Sequence, residues 1–139
     1  MKFYLGTHRP YWLRYPQFKE IPLFVSDRTL RRYKNLPEST TEWACDSGGF
    51  TELSTYGEWR TTPHQYAARV RKYMDQIHGF QWASPQDWMC EPWILEKTGK
   101  TVTEHQELSV KSLSDLRTLT NDVHWIPVLQ GWEHDDYLR

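Results

Sequence analysis

Three short segments carry residues whose types and spacing suit chemistry on a flat, polar ligand. Asp46-Ser47-Gly48-Gly49-Phe50 sets a carboxylate and two adjacent glycines directly after the apolar run Trp43-Ala44-Cys45. An aspartate so placed can accept two parallel N–H bonds from a purine or pteridine edge, and paired glycines let backbone approach a planar ring closely. Asp87, in Ser84-Pro85-Gln86-Asp87, follows the run Phe80-Gln81-Trp82-Ala83 and offers a second carboxylate. Gln130-Gly131 follows Trp125-Ile126-Pro127-Val128-Leu129 and adds an amide that both donates and accepts. Together Asp46, Asp87 and Gln130 suit the polar edge of a guanine-like base, and Phe50, Tyr56, Trp82 and Trp88 are candidates to stack on its faces. His8, beyond the first apolar run, is a further candidate for the same pocket. Taken singly, aspartate, serine and glycine are ordinary turn formers; the joint pattern carries the reading.

To bring these side chains together, several strands must end at one edge. The runs Phe3-Tyr4-Leu5, Leu23-Phe24-Val25, Trp43-Ala44-Cys45, Phe80-Gln81-Trp82-Ala83 and Trp125-Ile126-Pro127-Val128-Leu129 read as five strands, each stopping at polar or glycine residues. Pro127 is an objection within the fifth, because proline removes a ladder donor. Between the third and fourth runs, Thr62 and Gln65 make a capping box, Pro63 suits the first helical position and Gly79 the exit. Tyr66, Val70, Tyr73, Met74 and Ile77 recur at helical spacing as its buried stripe. A second helix is predicted from the capping box of Thr101 and Glu104, with Leu108, Leu113, Leu116 and Leu119 on one side. Ser26 suits the cap of a short helix through Lys34, and Tyr11 to Lys19 an irregular turn. Strands alternating with helices imply an α/β fold with a parallel sheet, in which ligands bind at the carboxyl ends of the strands.

Composition narrows the class. The chain has 139 residues, 38% hydrophobic and 15% aromatic, which supports one packed domain and excludes a disordered chain. No apolar run approaches the roughly 20 residues of a membrane span, and the opening Met1-Lys2-Phe3-Tyr4-Leu5-Gly6 is short for a signal-peptide core. A cytoplasmic protein without a membrane partner is expected. Two cysteines, Cys45 and Cys90, build neither a disulfide framework nor a four-cysteine zinc site. The six histidines, His8, His64, His78, His105, His124 and His134, show no metal-ligand spacing, so no metal and no cofactor are expected. A net charge of −1 leaves any nucleic-acid contact to a local patch, such as Arg28, Arg31, Arg32 and Lys34 or Arg69, Arg71 and Lys72. Such runs more often solvate a helix face.

In order along the chain, Cys45-Asp46-Ser47-Gly48-Gly49-Phe50, Ser84-Pro85-Gln86-Asp87-Trp88-Met89-Cys90-Glu91-Pro92 and Pro127-Val128-Leu129-Gln130-Gly131 resemble the tRNA-guanine transglycosylase superfamily. The similarity is closest to its phage and bacterial DNA branch, the deazapurine DNA modification (DpdA-type) transglycosylases, and runs from Tyr4 to the last residue. It implies the N-terminal half of a TIM (β/α)8 barrel, about five parallel strands with intervening helices, as one incomplete domain over residues 1–139. It also implies exchange of guanine in DNA (or tRNA) for a 7-deazaguanine base such as preQ0, through a covalent aspartyl intermediate. By the resemblance, Asp46 is a base contact and acid/base group, with Ser47, Gly48, Gly49 and Phe50 beside it. Asp87, Gln130 and Gly131 recognise the edge of the base.

The family's attacking aspartate lies well downstream of the glutamine-glycine strand, whereas Arg139 comes eight residues after Gly131. A full barrel takes about 250 residues. The nucleophile is therefore expected from a C-terminal half-barrel polypeptide or from a homo-oligomer, and the chain alone is expected to be inactive. The zinc-binding Cys/His cluster of the tRNA-acting members is absent, and Thr51 stands where many of them carry glutamine. Two other readings use the same residues: a non-catalytic nucleobase-binding half-barrel, and a glycosidase-like barrel pairing Asp46 with Glu91 at about 5 to 9.5 Å.

Overall fold

A computed structural model describes residues 1–138. Four strands, β1 (Leu5–Thr7), β2 (Leu23–Ser26), β3 (Trp43–Asp46) and β4 (Phe80–Ala83), make one parallel sheet in the order β1-β2-β3-β4. Five helices accompany them: α1 (Asp27–Leu30), α2 (Gly49–Tyr56), α3 (Pro63–Gln76), α4 (Pro92–Thr98) and α5 (Val102–Leu119). Three 3-10 turns, Pro10–Arg14, Pro16–Phe18 and His134–Leu138, complete the described elements. Among the described residues no helix is long and apolar enough to cross a membrane.

Side-chain alternation along the strands divides the sheet into two faces. Leu23, Val25, Trp43 and Cys45 join Tyr66, Ala67, Val70 and Tyr73 of α3, Ile77 at its end and Leu116 of α5 in the main core. Burying a Leu, Val or Ile there contributes about 1.5–3 kcal/mol each. The opposite face carries Phe24, Ala44 and Trp82 in register, with Tyr4 edge-on to Trp82 at 5.2 Å. Asp46, two residues beyond Ala44, lies on this second face at its carboxyl end. Both faces carry apolar residues, which is why the strands read as continuous apolar runs rather than as a strict alternation.

Helix α3 has the expected capping box between Thr62 and Gln65. Of its stripe, Tyr66, Val70, Tyr73 and Ile77 are buried and Met74 is half-buried against the core. Helix α5 also has its capping box, but its buried face is His105, Ser109, Ser112 and Leu116, while Leu108, Leu113 and Leu119 are half-buried. Helix α1 ends at Leu30, not Lys34, as its hydrogen bonds tighten to three-residue spacing: Arg32 N–H bonds to the Thr29 carbonyl and Tyr33 N–H to that of Leu30. Helices α2 and α4, which the strand pattern leaves unassigned, each stop at a left-handed glycine, Gly57 and Gly99.

Two strand expectations need correction. The first strand is Leu5–Thr7 rather than Phe3–Leu5, and Phe3 is exposed. Its ladder starts with Leu5 N–H on the Pro22 carbonyl; a rung to Phe3 would need an N–H that Pro22 lacks. The expected fifth strand is only a parallel bridge, Trp125 to Ala83, so the sheet has four strands and not about five. Ala83 N–H donates to the His124 carbonyl and Ile126 N–H to that of Ala83. The next rung would need an N–H from Pro85, which has none, so Pro85 rather than Pro127 ends the ladder.

Candidate functional site

Asp46 ends β3 in register with Ser26 of β2, and the chain then turns through Ser47 and Gly48 into α2. Gly48 takes a left-handed φ of 79°, and a Cβ on it would lie 3.0 Å from Ser26 Oγ. Gly49 serves close packing, since a Cβ there would sit 2.9 Å from Trp59 and 3.3 Å from the Asp87 carbonyl oxygen. The two glycines thus let the β3–α2 turn lie directly against the loop after β4. Ser84 joins the two: its hydroxyl accepts from Ser47 N–H at 3.0 Å and donates to Asp46 Oδ1 at 3.5 Å.

Asp87 is 9% exposed, and both its carboxylate oxygens are engaged. Ser47 Oγ donates to Oδ1 at 3.3 Å and Gln130 Nε2 donates to Oδ2. The strand ends of β3 and β4 and the segment after Trp125 therefore bring Asp46, Ser47, Asp87 and Gln130 into one hydrogen-bonded cluster. The backbone of the 84–90 loop is held from three directions. Tyr66 of α3 donates its hydroxyl to the Ser84 carbonyl at 2.8 Å, and Trp59 Nε1 donates to the Asp87 carbonyl at 3.1 Å. From α5, Ser112 Oγ accepts Gln86 N–H at 2.9 Å, Ser109 Oγ accepts Trp88 N–H at 2.8 Å, and His105 Nδ1 lies 2.6 Å from the Met89 carbonyl. A carbonyl only accepts, so Nδ1 carries the proton.

Among the described residues no cationic side chain forms an ion pair with Asp46 or Asp87. Burial, then the neighbouring Asp87 charge, pushes Asp46 up to about 6, against the Gly48, Ser47 and Ser84 donors that pull it down. Burial also raises Asp87, opposed by the Gln130 and Ser47 hydrogen bonds, with the Glu91 charge pushing the same way as burial. One oxygen of Glu91 is buried without a partner. With its affinity for a proton raised to about 6, Asp46 can both take and give one within the cluster, while Asp87 accepts N–H and O–H donors.

The other candidate residues are distributed differently. Gly131 follows Gln130, and its carbonyl accepts the Tyr137 hydroxyl at 2.8 Å. Phe50 is half-exposed beside the cluster, edge-on to Trp93 at 5.4 Å. His8 is exposed at the carboxyl end of β1, two strands away from β3, and the hydrogen bonds above do not include it. Trp82 packs on Tyr4 and Phe24, Trp88 on the small cluster of Leu53, Met89 and Ile94, and Tyr56 under the Arg60 guanidinium. Glu52 is structural: it accepts from Arg60 and Thr61 N–H and pairs with Arg28 at 3.0 Å. Sequence reasoning missed Ser109, Ser112 and His105. Their signal was polar residues spaced four and three apart in line with Leu116, where an amphipathic helix buries its face.

Among the described residues no group of three or more His, Cys, Asp or Glu side chains could hold a metal ion. No curated protein and no solved structure matches the chain. The profile of the family described as DpdA, DeoxyPurine in DNA protein A, matches residues 1–139. That match spans the whole sequence and so takes in the β3, β4 and Gln130 segments that form the cluster; the chain belongs to the DpdA family.

Proposed function

We propose that this chain carries the base-recognition site of a transglycosylase that replaces guanine in DNA with a 7-deazaguanine base. Family membership supports a role tied to DNA modification. The observation that carries the finer reading is the cluster in which Asp87 takes N–H and O–H donors on both oxygens, one of them the Gln130 amide. A guanine edge offers the same donors, N1–H and the exocyclic N–H, and an acceptor at O6. In this reading the Gln130 amide occupies on Asp87 the place of the base; an arriving base donates to Asp87, and Gln130 turns its N–H groups to O6.

The exchange then proceeds in two displacements. A barrel aspartate beyond the cluster described above attacks the sugar C1′. The C1′–O bond forms as the C1′–N9 bond breaks, and the leaving base takes a proton from Asp46. Asp46, now ionised, removes the N9 proton of the incoming deazaguanine, whose nitrogen lone pair displaces the aspartate. Proton and charge balance over the cycle, and splitting one hard displacement in two is what covalent catalysis contributes. A group raised to about 6 suits both directions of that transfer.

Calorimetric titration of guanine and of a 7-deazaguanine base into the wild-type chain and Asp87→Ala tests the assignment. Two hydrogen bonds to a charged carboxylate predict loss of at least about 100-fold in affinity. Binding that persists within a few-fold would overturn it.

A further inference from the structure

Helix α5 touches both elements that present the base-reading groups. On one side its His105, Ser109 and Ser112 bind the backbone of residues 86, 88 and 89, which flank Asp87. One residue along from His105, the Gln106 amide spends both of its protons on the other element, donating to the Gln130 carbonyl at 2.9 Å and the Asp136 carbonyl at 2.7 Å. Both partners are carbonyls, so the amide orientation is fixed by chemistry. We propose that Gln106 is a positioning residue that sets Gln130 against Asp87, so that α5 fixes the spacing of the two groups that read the base.

The segment it holds is a self-closed unit. Asp136 Oδ2 accepts Trp132 N–H at 2.8 Å and Glu133 N–H at 2.9 Å, and Tyr137 donates to the Gly131 carbonyl. A Cβ on Gly131 would lie 2.8 Å from Asp136 and 2.9 Å from the Tyr137 ring, so this turn closes tightly on itself. Beyond the bridge at Trp125 the segment makes no strand, and the Gln106 fork takes the place of ladder bonds in anchoring it to the fold. Releasing the fork frees the unit as a body, and the Gln130 side chain moves with it away from Asp87.

The inference rests on the base-reading roles proposed above, and two readouts separate its failure from theirs. Gln106→Met keeps the length of the side chain and removes both donors; Gln106→Glu keeps length and polarity and likewise offers no amide proton. In either variant, affinity for the 7-deazaguanine base should fall roughly tenfold, the worth of about one lost net hydrogen bond at the site. In the free protein, the Asp87 carboxyl titration followed by carbon NMR should shift to higher pH, because the Gln130 donor that favours its ionised form is lost. Wild-type binding with an unchanged affinity and an unchanged Asp87 titration in both variants would overturn the proposal. A wild-type chain that binds neither base would instead overturn the base-site reading, and the carboxyl titration would still decide this one.

Discussion

Asp27 and Asp46 stand at the carboxyl ends of neighbouring strands, yet their surroundings are opposite. Asp27, 1% exposed, accepts two hydrogen bonds at 2.7 Å from the Arg69 guanidinium and one at 2.7 Å from the Tyr73 hydroxyl, with Arg31 at 3.9 Å. Asp46 accepts from hydroxyl and amide donors, feels the Asp87 charge and, among the described residues, pairs with no cation. A buried carboxylate gripped by a bidentate guanidinium is a fixed joint that ties α1 to α3. A buried carboxyl near a second acidic group and without a cationic partner among the described residues is instead raised in its affinity for a proton, to about 6. The same residue type thus stands as an ion-paired joint at one strand end and as a carboxyl without a cationic partner among the described residues at the next.

The largest effect that tests this contrast belongs to the joint. Asp27→Asn should lower stability by roughly 3 kcal/mol in denaturant unfolding, since it leaves Arg69 and Tyr73 without their anion. A loss below about 1 kcal/mol would erase the distinction. At Asp46 the sign reverses. Asp46→Asn should raise stability by about 1–2 kcal/mol near pH 7.5, because it removes a carboxylate held ionised against its surroundings. The sign follows from linkage: with Asp46 raised to about 6, the folded state binds the extra proton, so stability from this group falls as pH climbs from about 4 to 6 and is level above. The gain in Asp46→Asn should therefore vanish near pH 4, and a pH-independent difference would contradict it. The smallest effect is that of Ser84→Ala, about 1 kcal/mol lower in stability, with the Asp46 NMR titration shifted upward as its Ser84 donor disappears. An unmoved Asp46 midpoint would show that Ser84 does not bridge the cluster.

Much of this arrangement was legible in the chain, and the failures have physical causes. The two capping boxes and the α3 stripe are local, and local rules found them. Asp46, Asp87 and Gln130 stand out by their place directly after short apolar runs, a local signal that needs no tertiary contact to read, whereas the bridging role of Ser84 does. The fifth strand failed because its pairing depends on a residue 40 positions earlier: Pro85 withholds the N–H that Ile126 would need. The face of α5 failed because its burial is set by hydrogen bonding rather than apolar packing. Leucines at 108, 113 and 119 drew attention, while Ser109 and Ser112 were buried to satisfy the backbone of the Asp87 loop. The glycines of the Asp46 turn were read as room for a ligand; Gly49 in fact leaves room for Trp59 and Asp87.

The most direct test is a crystal structure of the chain grown with guanine or a 7-deazaguanine base. The account predicts the base edge within hydrogen-bond distance of the Asp87 carboxylate, with the Gln130 amide moved from Asp87 to O6 and Asp46 alongside the ring nitrogen that bears the sugar. A base bound elsewhere, with the Gln130 to Asp87 contact intact, would contradict it.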